Sequence, residues 1–138
     1  MTRELLVESL WRASWPHDRL VLAASRLVRV LDGLAPPRRV EVRSNRGLAG
    51  IDGTIATAMG IAVASQSEDQ PTLGAGTTRV LIGDLALLHD AGSLLLPPTE
   101  SHPRLQLFVG NDGGGTIFDT LEAAQSADAE AFQRVMYT

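Results

Sequence analysis

Short unbroken apolar runs alternate along this chain with longer amphipathic stretches. Leu5, Leu6, Leu10 and Ala13 recur at helical spacing and stop before Pro16, which predicts a helix over 4–14. Leu20-Val21-Leu22-Ala23-Ala24 has the character of a strand buried on both faces. Ser25 is placed to cap the next helix, in which Leu27, Val30, Leu31 and Leu34 share a face until Pro36-Pro37 ends it. Val40-Glu41-Val42-Arg43 reads as a second strand, and Thr54 to Ala64, crowded with Ala, Gly and Thr, as a third helix. A polar loop fills 66–77. Arg79-Val80-Leu81-Ile82 is the third strand and runs directly into Gly83-Asp84. Residues 85–91 read as helix and 97–103 as loop, and Leu105-Gln106-Leu107-Phe108-Val109 is a fourth strand ending at Gly110-Asn111-Asp112-Gly113-Gly114-Gly115. A last helix is predicted over about 127–135. Strands alternating with helices in this way give an α/β class: one domain over 1–138, an open parallel sheet with helices on both faces.

In open parallel sheets, ligands bind beyond the carboxyl ends of the strands. Three strand ends carry the polar and glycine-rich segments here, namely Ser44 to Gly53, Gly83-Asp84 and Asn111 to Gly115. Asp84, the Asn111 side-chain carbonyl and a free backbone carbonyl of a glycine turn are hard oxygen donors suited to Mg²⁺. Neighbouring glycines let backbone amides approach a phosphate. The same residues also admit a plainer reading, in which Gly83-Asp84 only caps a helix and Asn111 to Gly115 is only a turn.

Composition narrows the chemistry. The chain has 138 residues, no cysteine and no lysine, its twelve basic residues all being arginine. Thiolate nucleophiles, disulfides, sulfur-ligated zinc, Schiff-base lysines and P-loop lysines are therefore excluded. Residues 1–46 hold nine arginines against five acids, and 47–138 hold three against eleven, so a net charge of −4 divides into +4 and −8. Aromatics are only 4% and the arginines are dispersed, which does not make a nucleic-acid footprint. No apolar run is long enough to span a bilayer and the start does not read as a signal peptide, so a cytoplasmic location is the default. Trp11 and Trp15 are expected to pack. His17 and His102 have no partners at metal-ligand spacing, and His89 is given no catalytic role.

Gly83-Asp84-Leu85, followed after 25 residues by Asn111-Asp112-Gly113, resembles the thiamine-diphosphate motif. More closely, Ser44-Asn45-Arg46-Gly47-Leu48-Ala49-Gly50-Ile51-Asp52-Gly53, Gly83 to Asp90 and Asn111 to Phe118 resemble the MenD family, the 2-succinyl-5-enolpyruvyl-6-hydroxy-3-cyclohexene-1-carboxylate synthases of menaquinone biosynthesis. The likeness runs over about residues 20–137 and takes in only the C-terminal, diphosphate-binding part of a longer multidomain enzyme. It implies a thiamine-diphosphate-binding fold with thiamine diphosphate and Mg²⁺ as cofactors. Asp84, Asn111 and the Gly113 carbonyl would be the metal ligands, and Gly83 and Leu85 would lie near the diphosphate. Ile51 would prop the bent cofactor. Ser25, Arg29 and Arg46 would hold substrate carboxylates, with Ile117 and Phe118 lining the pocket.

The implied substrates are 2-oxoglutarate and isochorismate, whose carboxylates suit the planar fork of arginine. Arg29 on its helix also admits the reading of a solvated face residue. Arg26 and Thr116 depart from the family pattern. The glutamate that activates the cofactor lies, by the resemblance, in an N-terminal domain outside this chain. The fragment alone is therefore expected to be inactive and to self-associate as a homo-oligomer through surface the missing domains would cover. Other thiamine-diphosphate enzymes, of the acetolactate synthase or 2-oxo acid decarboxylase type, usually carry glycine where Leu85 stands and lack the Arg46 to Gly53 block. A non-catalytic excised module is the alternative of a different class.

Overall fold

The computed structural model describes residues 1–47, 50–67, 76–114 and 116–137. The elements follow in the order α1 (Arg3–Ala13), β1 (Arg19–Leu22), α2 (Arg26–Leu34), β2 (Glu41–Ser44), α3 (Thr54–Gln66), β3 (Thr78–Gly83), α4 (Asp84–Asp90), β4 (Leu105–Gly110), α5 (Glu122–Ser126) and α6 (Ala129–Met136). Short 3₁₀ turns lie at Ala91–Leu94 and Thr116–Thr120. All four strands are parallel, in the order β2-β1-β3-β4.

Alternation along the central strands sorts the core into two layers. Leu20, Leu22 and Leu81 face α1 and α2, where they meet Val7, Leu10, Trp11, Leu27 and Leu31. Val21, Ala23, Val80 and Ile82 face the other way, against Ile55 and Ala58 of α3 and Ala86 of α4. Burial on both faces is why these strands read as continuous apolar runs rather than as alternation. β2 differs: all four of its residues are exposed, as suits an edge strand that carries Glu41 and Arg43.

The predicted elements are all present with shifted ends. The second strand starts at Glu41 and reaches Ser44, the third helix continues to Gln66, and the third strand takes in Thr78 and Gly83. The predicted last helix is α6, started by Asp128, whose side chain accepts the Ala131 N–H at 3.0 Å, and the short α5 before it was not predicted. Most of the predicted polar loop, 68–75, lies outside the described residues, as do Leu48, Ala49 and Gly115. Trp11 packs as expected, its indole N–H donating to the Pro36 carbonyl at 3.0 Å. Trp15 does not; α1 has ended at Ala13, and the residue is 58% exposed.

Asp18 closes the amino end of the β1–β3 pair. Its carboxylate accepts the N–H groups of Trp15 and Thr77, each at 2.8 Å, and the Arg79 guanidinium. Burial works to raise the pKa of Asp18, but the two amides and Arg79 outweigh it and hold the carboxyl below its ordinary range. At the opposite end the chain leaves β1 toward β2 on one side and returns on the other side as β3. That reversal opens a crevice beyond the carboxyl ends of β1 and β3. No helix among the described residues is long and apolar enough to cross a membrane.

Candidate functional site

An open cavity of about 640 Å³ occupies the crevice. Segments following all four strands supply its wall: Ala24 to Leu27 and Arg29 after β1, Asn45 to Gly47 with Gly50 and Ile51 after β2, Gly83 to Ala86 after β3, and Gly110, Asp112 and Thr116 to Phe118 from β4 onward. Arg3, the first residue of α1, completes it. Of the residues singled out from sequence, Ser25, Arg29, Arg46, Ile51, Gly83, Asp84, Leu85, Ile117 and Phe118 all meet on this wall.

Asp84 organises the floor. The β3–β4 register pairs Gly83 with Gly110, so the residues after both strands emerge side by side. One Asp84 carboxylate oxygen accepts the Leu85 N–H at 2.8 Å. The other accepts the N–H groups of Asp112 at 3.2 Å and Gly114 at 2.8 Å. Asp84 therefore serves its own helix start and also fastens the turn after β4. That turn needs glycine, since Gly113 and Gly114 have φ of 88° and 81°.

Asn111 and Gly113 are placed differently from Asp84. Asn111 is exposed and its side-chain oxygen accepts the Gly113 N–H at 3.0 Å, so the two close a small turn beside the cavity instead of lining it. The side chain between them, Asp112, lines the cavity in their place. Its carboxylate pairs with Arg3 and accepts the Thr116 hydroxyl at 2.5 Å. Burial works to raise the pKa of Asp112, yet the bonds from Arg3 and Thr116 and the nearby charges of Arg3 and Arg26 hold it below the ordinary carboxylate range.

Ser25 occupies the N-cap position of α2, but its side chain makes no cap bond. Its backbone explains why: φ of 97° and ψ of −151° lie in a region that is essentially the preserve of glycine. No other non-glycine residue among those described has positive φ. Arg29, one turn along α2, is exposed as the plainer reading held, yet it lines the cavity mouth and donates to the Ser25 carbonyl at 2.8 Å. Arg26 donates to the Thr116 carbonyl at 2.8 Å. Arg46 lines the wall on the segment after β2. Four guanidinium groups, of Arg3, Arg26, Arg29 and Arg46, thus share the cavity with two carboxylates, Asp84 and Asp112.

Helix ends complete the electrostatics. α3 begins shortly after Ile51, and the buried Asp90 of α4 caps it, accepting the N–H groups of Ile55 at 2.5 Å and Ala56 at 3.2 Å. The start of α2, on the cavity wall, has no such side-chain cap. His89, beside Asp90, is exposed. Sequence reasoning passed over Arg3, Arg26 and Asp112 as cavity residues, and Asp90 as a cap. Of these only Asp112 had a local signal, its place next to Asn111 in a turn where one residue of rotation decides which side chain faces inward.

No family model matches the chain. The chain is 63% identical over 140 aligned positions to the 2-succinyl-5-enolpyruvyl-6-hydroxy-3-cyclohexene-1-carboxylate synthase of Leifsonia xyli subsp. xyli, an alignment that takes in all of the chain and 24% of that protein. It is 61% identical over 138 residues to the synthase of the same description from Clavibacter michiganensis subsp. michiganensis, again over the whole chain and 23% of the relative. The corresponding Mycolicibacterium smegmatis synthase is 47% identical over 126 residues, covering 89% of the chain and 21% of the relative. The chain spans about a quarter of the length of the relatives it matches.

Proposed function

We propose that this chain, which by sequence belongs to the family of 2-succinyl-5-enolpyruvyl-6-hydroxy-3-cyclohexene-1-carboxylate synthases, is their thiamine-diphosphate- and Mg²⁺-binding segment, the C-terminal part of a longer multidomain enzyme. The observation that carries this reading is the convergence of the four strand ends on one cavity, with a carboxylate at its floor and arginines around its wall.

The donor set suits the cofactor. The Asp84 carboxylate is tied to the turn that offers the Asn111 and Asp112 side chains and the Gly113 carbonyl, all hard oxygen donors of the kind Mg²⁺ prefers beside diphosphate and water. Asp84, Asn111 and Gly113 would hold the metal, with Asp112 adding a carboxylate from the cavity side. Gly83, Leu85 and the uncapped start of α2 would face the diphosphate. When bound, thiamine diphosphate supplies the electron sink for decarboxylating a 2-oxo acid and joining its remaining carbons to an acceptor.

The protein's own part is orientation and charge. Ile51, Ile117 and Phe118 would exclude water from the reacting region. Ser25, Arg29 and Arg46 would fix the carboxylates of 2-oxoglutarate and isochorismate, arginine giving two parallel hydrogen bonds to each carboxylate. Activation of the cofactor would come from residues outside this chain. A homo-oligomer and a cytoplasmic location belong to the same reading.

Calorimetry tests it. The chain should bind thiamine diphosphate in a Mg²⁺-dependent manner, and Asp84→Ala should abolish that binding. Undiminished binding by the variant would remove Asp84 from the site. The purified chain should release no product from 2-oxoglutarate and isochorismate with cofactor and Mg²⁺, and turnover without a partner chain would refute the division of the active site.

A further inference from the structure

We infer that the Arg3 guanidinium is a resident counter-ion at Asp112, which a divalent cation must displace, so that loading the site releases the start of α1. The inference rests on the cation-binding reading above and concerns what stands in the way of the metal.

α1 is otherwise scaffolding. Its buried residues, Val7, Leu10 and Trp11, pack into the core against α2 and the sheet. Arg3 reaches from the helix start to the turn after β4, 109 residues further along the chain. There its Nη2 bonds the Asp112 carboxylate and, at 2.9 Å, the Thr116 hydroxyl. Thr116 in turn donates to the same Asp112 oxygen at 2.5 Å. The cation, the hydroxyl and the carboxylate form one closed set on the cavity wall.

Three features make this set an exchangeable lock. The Arg3 and Asp112 side chains are 33% and 27% exposed, so the pair can part without opening the core. A guanidinium has only donors and no lone pair, so it cannot join a metal's coordination shell. Once a divalent ion approaches the carboxylates of Asp84 and Asp112, which share one turn through the Asp112 and Gly114 amides, it repels the guanidinium over a few ångströms. Released, Arg3 leaves Thr116 held through its carbonyl by Arg26, so the turn keeps one of its two arginine ties.

The exchange is tested with the metal alone. Mn²⁺ binding, read from loss of the free-ion electron paramagnetic resonance signal, is measured for the natural sequence, Arg3→Met, Asp112→Asn and the double variant. Arg3→Met should tighten Mn²⁺ binding by about two- to fivefold, the scale of a partly exposed ion pair. The gain should vanish in the Asp112→Asn background. In the natural sequence, saturating Mg²⁺ should broaden or shift the Arg3 Nε–Hε resonance and speed hydrogen exchange at the start of α1, which needs no variant to fold.

Equal or weaker Mn²⁺ binding by Arg3→Met, or an Arg3 resonance unmoved by Mg²⁺ that does bind, would overturn the exchange while leaving the cation site intact. A gain that survives Asp112→Asn would also overturn it, because repulsion would then act without the lock. Absence of cation binding in both the natural sequence and Arg3→Met would refute the cation-site reading and the exchange together.

Discussion

Replacing Ser25 by glycine should make the chain more stable and its cavity a poorer ligand site. Ser25 holds φ of 97° and ψ of −151°, which costs a residue with a Cβ about 1–3 kcal/mol. Glycine escapes that cost but adds backbone freedom to the unfolded chain, an opposing effect of about 0.5–1 kcal/mol. The balance is a stabilisation of about 1 kcal/mol, equivalent to a rise in Tm of about 2–5 °C at this chain length. Ser25→Ala is the control, because it keeps the Cβ and loses only the hydroxyl. That hydroxyl makes no cap bond to α2, so the alanine variant should stay within about 0.5 kcal/mol of the natural sequence. The assay is urea unfolding followed by far-UV circular dichroism, with midpoints compared at constant m. Both variants should bind a dicarboxylate more weakly. If glycine gives no gain in midpoint, or if alanine gives the same gain, the Ser25 backbone is not strained and the reasoning fails.

Asp18→Asn should destabilise the chain by about 3 kcal/mol at pH 7, since it strips a buried carboxylate from Arg79. The folded-state pKa of Asp18 lies below its ordinary value, so its contribution is full above the unfolded pKa and is lost as pH falls through the folded one. Urea midpoints at pH 7, 4 and 3 should therefore converge for the two proteins, and a constant gap would contradict the linkage. Asp90→Ala should cost about 1–2 kcal/mol by uncapping α3, seen as faster hydrogen exchange at Ile55 and Ala56; unchanged exchange there would refute the cap. Thr78→Val should raise stability by about 1 kcal/mol, because the buried Thr78 hydroxyl has no partner among the described residues; a lower unfolding midpoint would show that the hydroxyl is satisfied.

The fold was legible from sequence wherever burial is two-sided. Leu20 to Leu22 and Val80 to Ile82 announce themselves as central strands because both faces of each are covered. The location of the cavity followed from topology, since the residues after parallel strands must gather at one edge. What stayed hidden depended on dihedral angles and distant partners. Whether Asn111 or Asp112 faces inward is decided by the left-handed turn at Gly113 and Gly114 and by the Asp84 bonds to that turn. The backbone of Ser25 is invisible in a residue type that ordinarily caps helices, and nothing near Arg3 in sequence points to a partner at Asp112. The short helical turn Thr116–Thr120 and α5 went unread because neither is long enough to show a period.

Asp90 has a consequence that reaches beyond α3. Its carboxylate offsets the positive end of that helix, whereas the start of α2 has no such side-chain partner. The α2 flank keeps its open helix end beside the guanidinium groups of Arg26 and Arg29, while on the flank after β2 the positive charge rests on the Arg46 side chain. An anion entering the cavity would therefore meet a backbone dipole and guanidinium groups together on one side, and side-chain charge without that dipole on the other.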